Sequence, residues 1–335
     1  MIVSLARECR RWFRPAIDAV FGRDMPWACR WRLLAIQPLV LLTTAIHTLP
    51  YLWPTTRPFT VEYITVDTGS TLRVLVYVPS PRKDTTTATP APLRPLHLDI
   101  HGGAFIGGNP EEGAAFCSRV ARETGAVVVS PTYRYAPRHC FPAAADDIDA
   151  FVRYLHGHAA DRWAADPQLL TLSGWSAGGN LALAAAQQES CHEPAGTAFK
   201  GAVLFYAALD LNRSPGEKPK PEGMGGKDPM AWLYPLFDSY ASRARAAHTT
   251  DPRFSPFQAR LRTLPRHMLF VVPHIDLLVQ EQLLFTDRVR HEIGSSSQND
   301  HGHSPARTTD VLYVEHPKAF HGYLNCKWYS TCIVP

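Results

Sequence analysis

Gly174-Trp175-Ser176-Ala177-Gly178-Gly179-Asn180 decides the reading of this chain. The stretch has the form G-x-S-x-G, follows the apolar run Leu169–Ser173 and precedes an Ala- and Leu-rich segment, residues 180–188. A serine held between two glycines, where a strand turns into a helix, is the setting of a nucleophile elbow. The turn is sharp, and a side chain at either glycine would collide with the neighbouring strand or helix. Ser176 then stands above a sheet with a backbone N–H at the mouth of a helix. G-x-S-x-G alone is a common pattern, and its strand–turn–helix context is what makes it informative.

His101-Gly102-Gly103-Ala104-Phe105 follows another apolar run, Leu96–Ile100, and lies 75 residues before Ser176. It matches the HGGG-type loop whose backbone N–H groups complete an oxyanion hole. Glycines there let the backbone approach a reacting carbonyl and turn its amides inward. A Gly-rich turn after a strand has an ordinary structural reading, but one paired with a downstream elbow points to acyl chemistry.

The rest of the composition narrows the class. Of 335 residues, 45% are hydrophobic and 19% charged, enough for a large core and too apolar for disorder. The net charge of +4 is small, and no basic run interleaved with aromatics suggests nucleic acid. Seven scattered cysteines without a C-x-x-C pair argue against a disulfide framework or zinc site, and for a reducing, cytoplasmic compartment. His301-Gly302-His303 lies in a polar stretch and makes a weak metal site. The terminal Cys332-Ile333-Val334-Pro335 has prenylation-box spacing but ends in the wrong residue.

The N-terminus is ambiguous. Arg and Trp are frequent between Arg7 and Arg32, and Leu33–Trp53 carries no Lys, Arg, Asp or Glu. That length marginally suits a membrane span, but Gln37, Pro38, His47 and Pro50 weaken the case. Three readings stay open: helices packed over a catalytic domain, which is preferred; a membrane anchor; or an interfacial helix. Residues 1–55 are therefore expected to form a cap or membrane-associated segment, and 56–335 the catalytic domain.

Eight apolar, β-branched runs read as strands: Val61–Val66, Thr71–Val78, Leu96–Ile100, Ala126–Ser130, Leu169–Ser173, Ala202–Tyr206, His267–Val272 and Asp310–Glu315. Helical patterns fall between the later ones, at Gly113–Thr124, Ala143–His156, Ala177–Glu189 and Leu278–Glu292. Alternation of this kind implies a mainly parallel sheet with helices on both faces. The first two runs flank the turn signal Asp67-Thr68-Gly69-Ser70 and read as an antiparallel hairpin. Pro79–Pro95 reads as a surface loop, and Gly294–Thr309 as a flexible excursion. Ser214–Pro229 with Trp232–Tyr240 reads as an insertion after the sixth strand, giving a cap element around residues 211–250.

From about residue 60 to 325 the chain resembles the hormone-sensitive-lipase family of α/β-hydrolases. Besides the two motifs above, Tyr133-Arg134-Tyr135-Ala136-Pro137-Arg138-His139 resembles that family's Y-R-L-A-P-E-H, continued by Phe141-Pro142-Ala143-Ala144 and Asp146-Asp147. Asp251-Pro252-Arg253-Phe254-Ser255-Pro256 resembles its D-P-x-x-S-P. The resemblance implies an α/β-hydrolase fold with eight strands and a helical cap. It implies a triad in the chain order serine, acid, histidine. Asp276-Leu277-Leu278-Val279-Gln280-Glu281 resembles D-x-L-x-D-E after the seventh strand, and His321-Gly322-Tyr323 resembles H-G-F after the eighth.

A serine hydroxyl needs an adjacent base to act as a nucleophile at neutral pH. By this resemblance Ser176 is the nucleophile, His321 the base and Asp276 the group that orients it, with the N–H groups of Gly102, Gly103 and Ala177 facing the oxyanion. His316 and Asp210 are the rivals for base and acid. His101 is read as an anchor of its own loop, and Tyr133 and Arg134 as structural. Three positions depart from the family: Trp175 replaces an Asp beside the nucleophile, Arg138 replaces a Glu, and Ala104 fills the fourth position of the HGGG loop.

The expectation is a serine esterase acting on a small to medium apolar ester through an acyl-enzyme, without metal or organic cofactor. The resemblance to fungal members implies tailoring of a natural product. A lyase or cyclase using the same triad stays open. A ligand-binding receptor on the same fold also stays open, although the presence of His321 counts against it.

Overall fold

A computed structural model of the chain describes residues 2–53, 55, 57–80, 92–188, 199–299 and 309–325. The eight runs are eight strands of one sheet. They are β1 (Thr60–Thr65), β2 (Thr71–Tyr77), β3 (Arg94–Ile100), β4 (Val127–Pro131), β5 (Ala165–Trp175), β6 (Gly201–Phe205), β7 (His267–Ile275) and β8 (Asp310–Phe320). Their spatial order is β1-β2-β4-β3-β5-β6-β7-β8. β2 pairs antiparallel with β1 and β4, and every later pairing is parallel.

The burial pattern follows from this order. Every residue of β4 is buried, as expected for a strand covered on both faces. β8, at the sheet edge, is mostly exposed, with only Val311 and Ala319 buried. The helices α4 (Ala114–Thr124), α5 (Ala143–Trp163), α6 (Ala177–Ala185) and α8 (Val279–Asn299) connect the parallel strands.

Two helices run further than expected. α5 continues through Gly157 to Trp163, and α8 continues through Gly294 to Asn299. Neither glycine has a neighbour within 4 Å of where a Cβ would sit, so both lie on open helix faces. Their cost of about 1 kcal/mol relative to Ala is tolerable there. The expected excursion therefore does not begin at Gly294; Ser295 Oγ instead donates to the His291 carbonyl inside the helix (2.9 Å). Conversely, α6 stops at Ala185 and gives way to a turn through Gln187 and Gln188. Most of the Pro79–Pro95 loop, His301-Gly302-His303 and the Cys332 tetrapeptide lie outside the described residues.

Three helices precede the sheet: α1 (Ile2–Trp12), α2 (Arg14–Phe21) and α3 (Trp27–Thr48). They pack onto the rest of the chain. Arg11 and Arg73 both donate to Glu111, at 2.9 and 2.6 Å. Arg14 donates to the Ile106 carbonyl and lies over the Tyr135 ring. Leu33, wholly buried on α3, joins the main core. The same helix meets the insertion after β6, which is built of 3-10 turns and the short helix α7 (Tyr234–Phe237). Trp31 stacks on Trp232 (6.1 Å between centroids), and the Cys29 thiol donates to the Pro235 carbonyl (3.4 Å).

Candidate active site

The apolar strand β5 delivers Ser176 at its C-terminal end, and α6 begins at the next residue. Ser176 has φ +53°, ψ −115°, a strained conformation for a non-glycine residue. It persists because its surroundings over-determine it. Its N–H donates to the Phe205 carbonyl (2.9 Å) and its carbonyl accepts from Ala208 N–H (3.2 Å), both in or just after β6. Gly178 allows the close approach: a Cβ there would lie 2.0 Å from the Ile100 carbonyl oxygen. The elbow and the loop after β3 therefore touch through backbone.

That loop curls tightly. Gly103 (φ +119°), Ala104 (+50°) and Phe105 (+60°) are consecutive residues of positive φ. The Gly103 carbonyl accepts from Ile106 and Gly107 (2.9 and 3.1 Å), and a Cβ on Gly103 would lie 2.2 Å from the Gly107 oxygen. Among the described residues, the N–H groups of Gly102, Gly103 and Ala177 donate to no protein acceptor. Three donors left unspent beside a strained serine suit an incoming anionic oxygen.

His101 holds the loop in place. Its Nδ1–H donates to the Gly102 carbonyl (2.7 Å), its Nε2 lies 3.2 Å from Tyr135 Oη, and its ring stacks on Tyr133 (4.6 Å). Burial pushes its pKa down to about 4, so it stays neutral. Phe105 stacks on Tyr240 (4.1 Å), fastening the same loop to the insertion.

β7 and β8 bring up the two remaining side chains. Asp276 follows β7, is buried, and accepts from Leu278 N–H through Oδ1 (2.9 Å). Its Oδ2 accepts from His321 Nδ1 (2.8 Å), and His321 Nε2 lies 2.9 Å from Ser176 Oγ. An ionised carboxylate can only accept, so Nδ1 carries the proton and Nε2 is left to accept from the serine hydroxyl. Desolvation alone would lower the His321 pKa; the Asp276 charge and hydrogen bond outweigh it and raise it. The arrangement puts a serine hydroxyl, an imidazole and a carboxylate in one hydrogen-bonded line, the geometry that a nucleophile, a base and an orienting acid require.

The rivals lie elsewhere. Asp210 accepts from Asn212 N–H (3.0 Å) and Ser255 Oγ (3.2 Å), which ties the D-P-x-x-S-P segment to the end of β6. His316 lies within β8 and packs against Tyr323 (5.3 Å). Arg134 makes an ion pair with the wholly buried Asp147 (2.9 Å), locking the Tyr133–His139 segment to α5. Glu281 is buried on α8, accepts from Leu209 N–H (2.7 Å) and pairs with Lys218 of the insertion.

One cluster was not anticipated. Asp99 on β3 is fully buried. It accepts from Ser173 Oγ (2.6 Å) and Trp175 Nε1 (2.9 Å) on β5, and from Ser130 Oγ (3.1 Å) on β4. Ser173 Oγ also lies 2.9 Å from His97 Nε2. The available signal was a charged residue inside the apolar run Leu96–Ile100. Arg138, the second departure from the family pattern, reaches Asp18 on α2 (3.4 Å).

Comparisons with known proteins agree with this architecture. A family model described as alpha/beta hydrolase fold matches residues 97–303. Human arylacetamide deacetylase-like 2 is 34% identical over 164 residues, covering 48% of this chain and 39% of its own length. Ethyl acetate hydrolase of Pseudomonas putida is 30% identical over 218 residues, 64% of each chain. The chain thus spans less than two thirds of either relative. A crystallised esterase of Pyrobaculum calidifontis superposes with a TM-score of 0.64 at 28% identity, covering 85% of this chain and 83% of its own.

Proposed function

Because the chain belongs to the hormone-sensitive-lipase family of α/β-hydrolases, we propose that it is a serine esterase cleaving a carboxylic ester through Ser176, His321 and Asp276. The observation that carries this is the continuous line Asp276 Oδ2–His321 Nδ1 and His321 Nε2–Ser176 Oγ, at 2.8 and 2.9 Å.

Ser176 Oγ attacks the ester carbonyl carbon as His321 Nε2 takes its proton. The carbonyl oxygen becomes an oxyanion facing the N–H groups of Gly102, Gly103 and Ala177. The tetrahedral species collapses, the alkoxide leaves with the proton from His321, and an acyl group remains on Ser176. Water attacks that acyl group, giving its proton to His321, and the carboxylic acid leaves as Ser176 recovers its hydrogen. Asp276 stays ionised throughout and stabilises the imidazolium formed in each half.

A small to medium apolar substrate fits a cap rich in Trp, Phe and Leu, formed by the N-terminal helices and the insertion around 211–250. The ethyl acetate hydrolase relative supports short esters, and the fungal resemblance supports a natural product as the target. Four described cysteines, Cys9, Cys29, Cys117 and Cys140, are free thiols, which supports a cytoplasmic setting. Membrane association we assign to residues 33–53.

A fluorophosphonate probe tests the reading. Labelling is expected at Ser176 alone, with Ser176→Ala abolishing both labelling and turnover of p-nitrophenyl acetate and butyrate. Labelling that survives the substitution would remove Ser176 as nucleophile. Labelling without turnover of any ester would favour a lyase or cyclase.

A further inference from the structure

α3 buries one side and leaves a largely apolar side exposed. Its buried positions, among them Cys29, Leu33, Ile36, Gln37, Thr44 and Thr48, recur at helical spacing and face the protein. On the opposite side, Trp27, Leu34, Leu39, Leu42, Ile46 and, in the turn that follows, Leu49 are 46–74% exposed. A water-facing helix surface is normally polar. Here it carries no charge from Leu33 to Thr48, a stretch of helix about 24 Å long. Trp232 and Met230 of the insertion, both exposed, widen the patch where Trp31 stacks.

The chemistry around this patch selects its partner. Tryptophan stands at both ends, Trp27 and Trp31 at one and Trp53 at the other, as aromatic side chains do at the headgroup level of a bilayer. Arginine accompanies both: Arg32 lies over the Trp31 ring (4.2 Å), and Arg57 donates to the Leu52 carbonyl (3.0 Å). Residues 1–57 hold eight arginines against three acidic residues, whereas the whole chain is only +4. An uninterrupted apolar strip with a cationic margin matches anionic lipid better than a protein interface with its polar rim.

By length and composition Trp27–Tyr51 could cross a membrane, with a mean hydropathy of 1.5. Its inner face argues otherwise. Gln37 accepts from Ala16 N–H (2.9 Å) and donates to the Trp12 carbonyl (3.0 Å), and Asn109 Nδ2 donates to Thr44 Oγ1 (3.3 Å). A transmembrane orientation would strip these polar pairs and uncover the core position of Leu33. We propose that α3 is a monotopic docking element, lying in the plane of an anionic membrane surface with its outer face in the lipid and its inner face on the enzyme. This rests on the assignment of membrane association to residues 33–53 and adds orientation and lipid class.

The test uses the full chain with two vesicle preparations, phosphatidylcholine alone and phosphatidylcholine with about a third phosphatidylserine. Wild type is expected to float with the anionic vesicles, more weakly with the neutral ones, and to be released by alkaline carbonate. Leu42→Glu with Ile46→Glu is expected to lower vesicle partitioning about tenfold or more, with melting temperature and hydrolysis of a soluble ester unchanged. No binding to either vesicle would overturn membrane association itself. Binding that resists carbonate, or that the double variant leaves intact, would keep the association and overturn the in-plane outer-face proposal. Dimerisation abolished by the double variant, without vesicle binding, would make the patch a contact between copies instead.

Discussion

The indole N–H of Trp175 donates to the carboxylate of Asp99 at 2.9 Å, joining the strand that ends in Ser176 to the strand that ends in the His101–Phe105 loop. At position 175 the family usually carries an acid. Here the acid stands on the neighbouring strand, and the residue beside Ser176 supplies the donor. The ring of Trp175 also stacks on Phe205 (3.9 Å) and meets Phe116 edge-on (5.5 Å), so it cannot swing away from Asp99 without disturbing β6 and α4.

Trp175→Phe keeps the stack and removes one hydrogen bond to a buried charge, which typically contributes about 1.5–3 kcal/mol. Urea unfolding should show a loss of that size. Asp99→Ala strands the donors of Ser173, Trp175 and Ser130 together and should cost more. Equal midpoints for wild type and Trp175→Phe would mean that the indole contributes nothing to holding the carboxylate.

Asp276→Asn should leave the fold intact and present the wrong imidazole tautomer to Ser176. A loss on the order of 10⁴ in kcat is expected, and Asp210→Asn should cost far less. The pH profile adds a second readout. His321 must be neutral to accept the serine proton, so kcat/KM falls as pH drops through its pKa. Asp276 raises that pKa, so the wild-type midpoint should lie above the ordinary value of about 6.5. In Asp276→Asn desolvation, joined by the Lys218 charge, faces only the smaller pull of Asp228, and the midpoint should move down. A larger kcat loss in Asp210→Asn, with both variants folded, would move the acid to the end of β6.

Gly103→Ala places a methyl group 2.2 Å from the Gly107 oxygen at a φ of +119°. The loop has to open, and its N–H groups lose their aim. A fall of about 10² to 10³ in kcat, with the global melting temperature little changed, is the expected signature of a lost oxyanion donor. An unaltered kcat would show that these amides do not meet the reacting oxygen.

Glu111 links α1 to β2. Burial alone would raise its pKa, but the charges of Arg73 and Arg11 prevail and hold it below the ordinary carboxylate value. A depressed folded-state pKa contributes stability above the unfolded value of about 4.3 and loses it as pH falls through the folded one. Glu111→Gln should therefore unfold at lower urea than wild type at neutral pH, with the gap closing in acid. A gap that is constant across that range would assign the loss to packing rather than charge.

The strands and the three side chains that meet at the candidate site were readable because each is announced locally, by a β-branched run or by a short motif at a strand end. Ser176, Asp276 and His321 are far apart in sequence, yet parallel strands order their loops along one edge, so chain order carries spatial information. Asp99 was not readable in the same way. Its meaning depends on β3 lying between β4 and β5, which sets Ser130, Ser173 and Trp175 around it. The partner of Arg138 was equally hidden, because Asp18 belongs to a helix 120 residues earlier. Helix ends misled where the expected helices stop short of Gly157 and Gly294, which sit on faces that nothing else occupies.

The partners of α3 and of the turn before it arrive late in the insertion. Cys29 waits for Pro235, Trp31 and Arg32 wait for Trp232, and the Asp24 carbonyl waits for Arg243. About 200 residues separate the two sides, and at about 5–20 residues per second a ribosome needs roughly 10–40 s to supply them. During that interval the N-terminal part of α3 lacks its cover, while Gln37 already has Ala16 and Trp12 beside it. The N-terminal helices are thus made first in the described chain, and their packing is completed only when the insertion after β6 has been made. A chaperone or lipid surface near the ribosome exit would meet this helix before the insertion that packs on it exists.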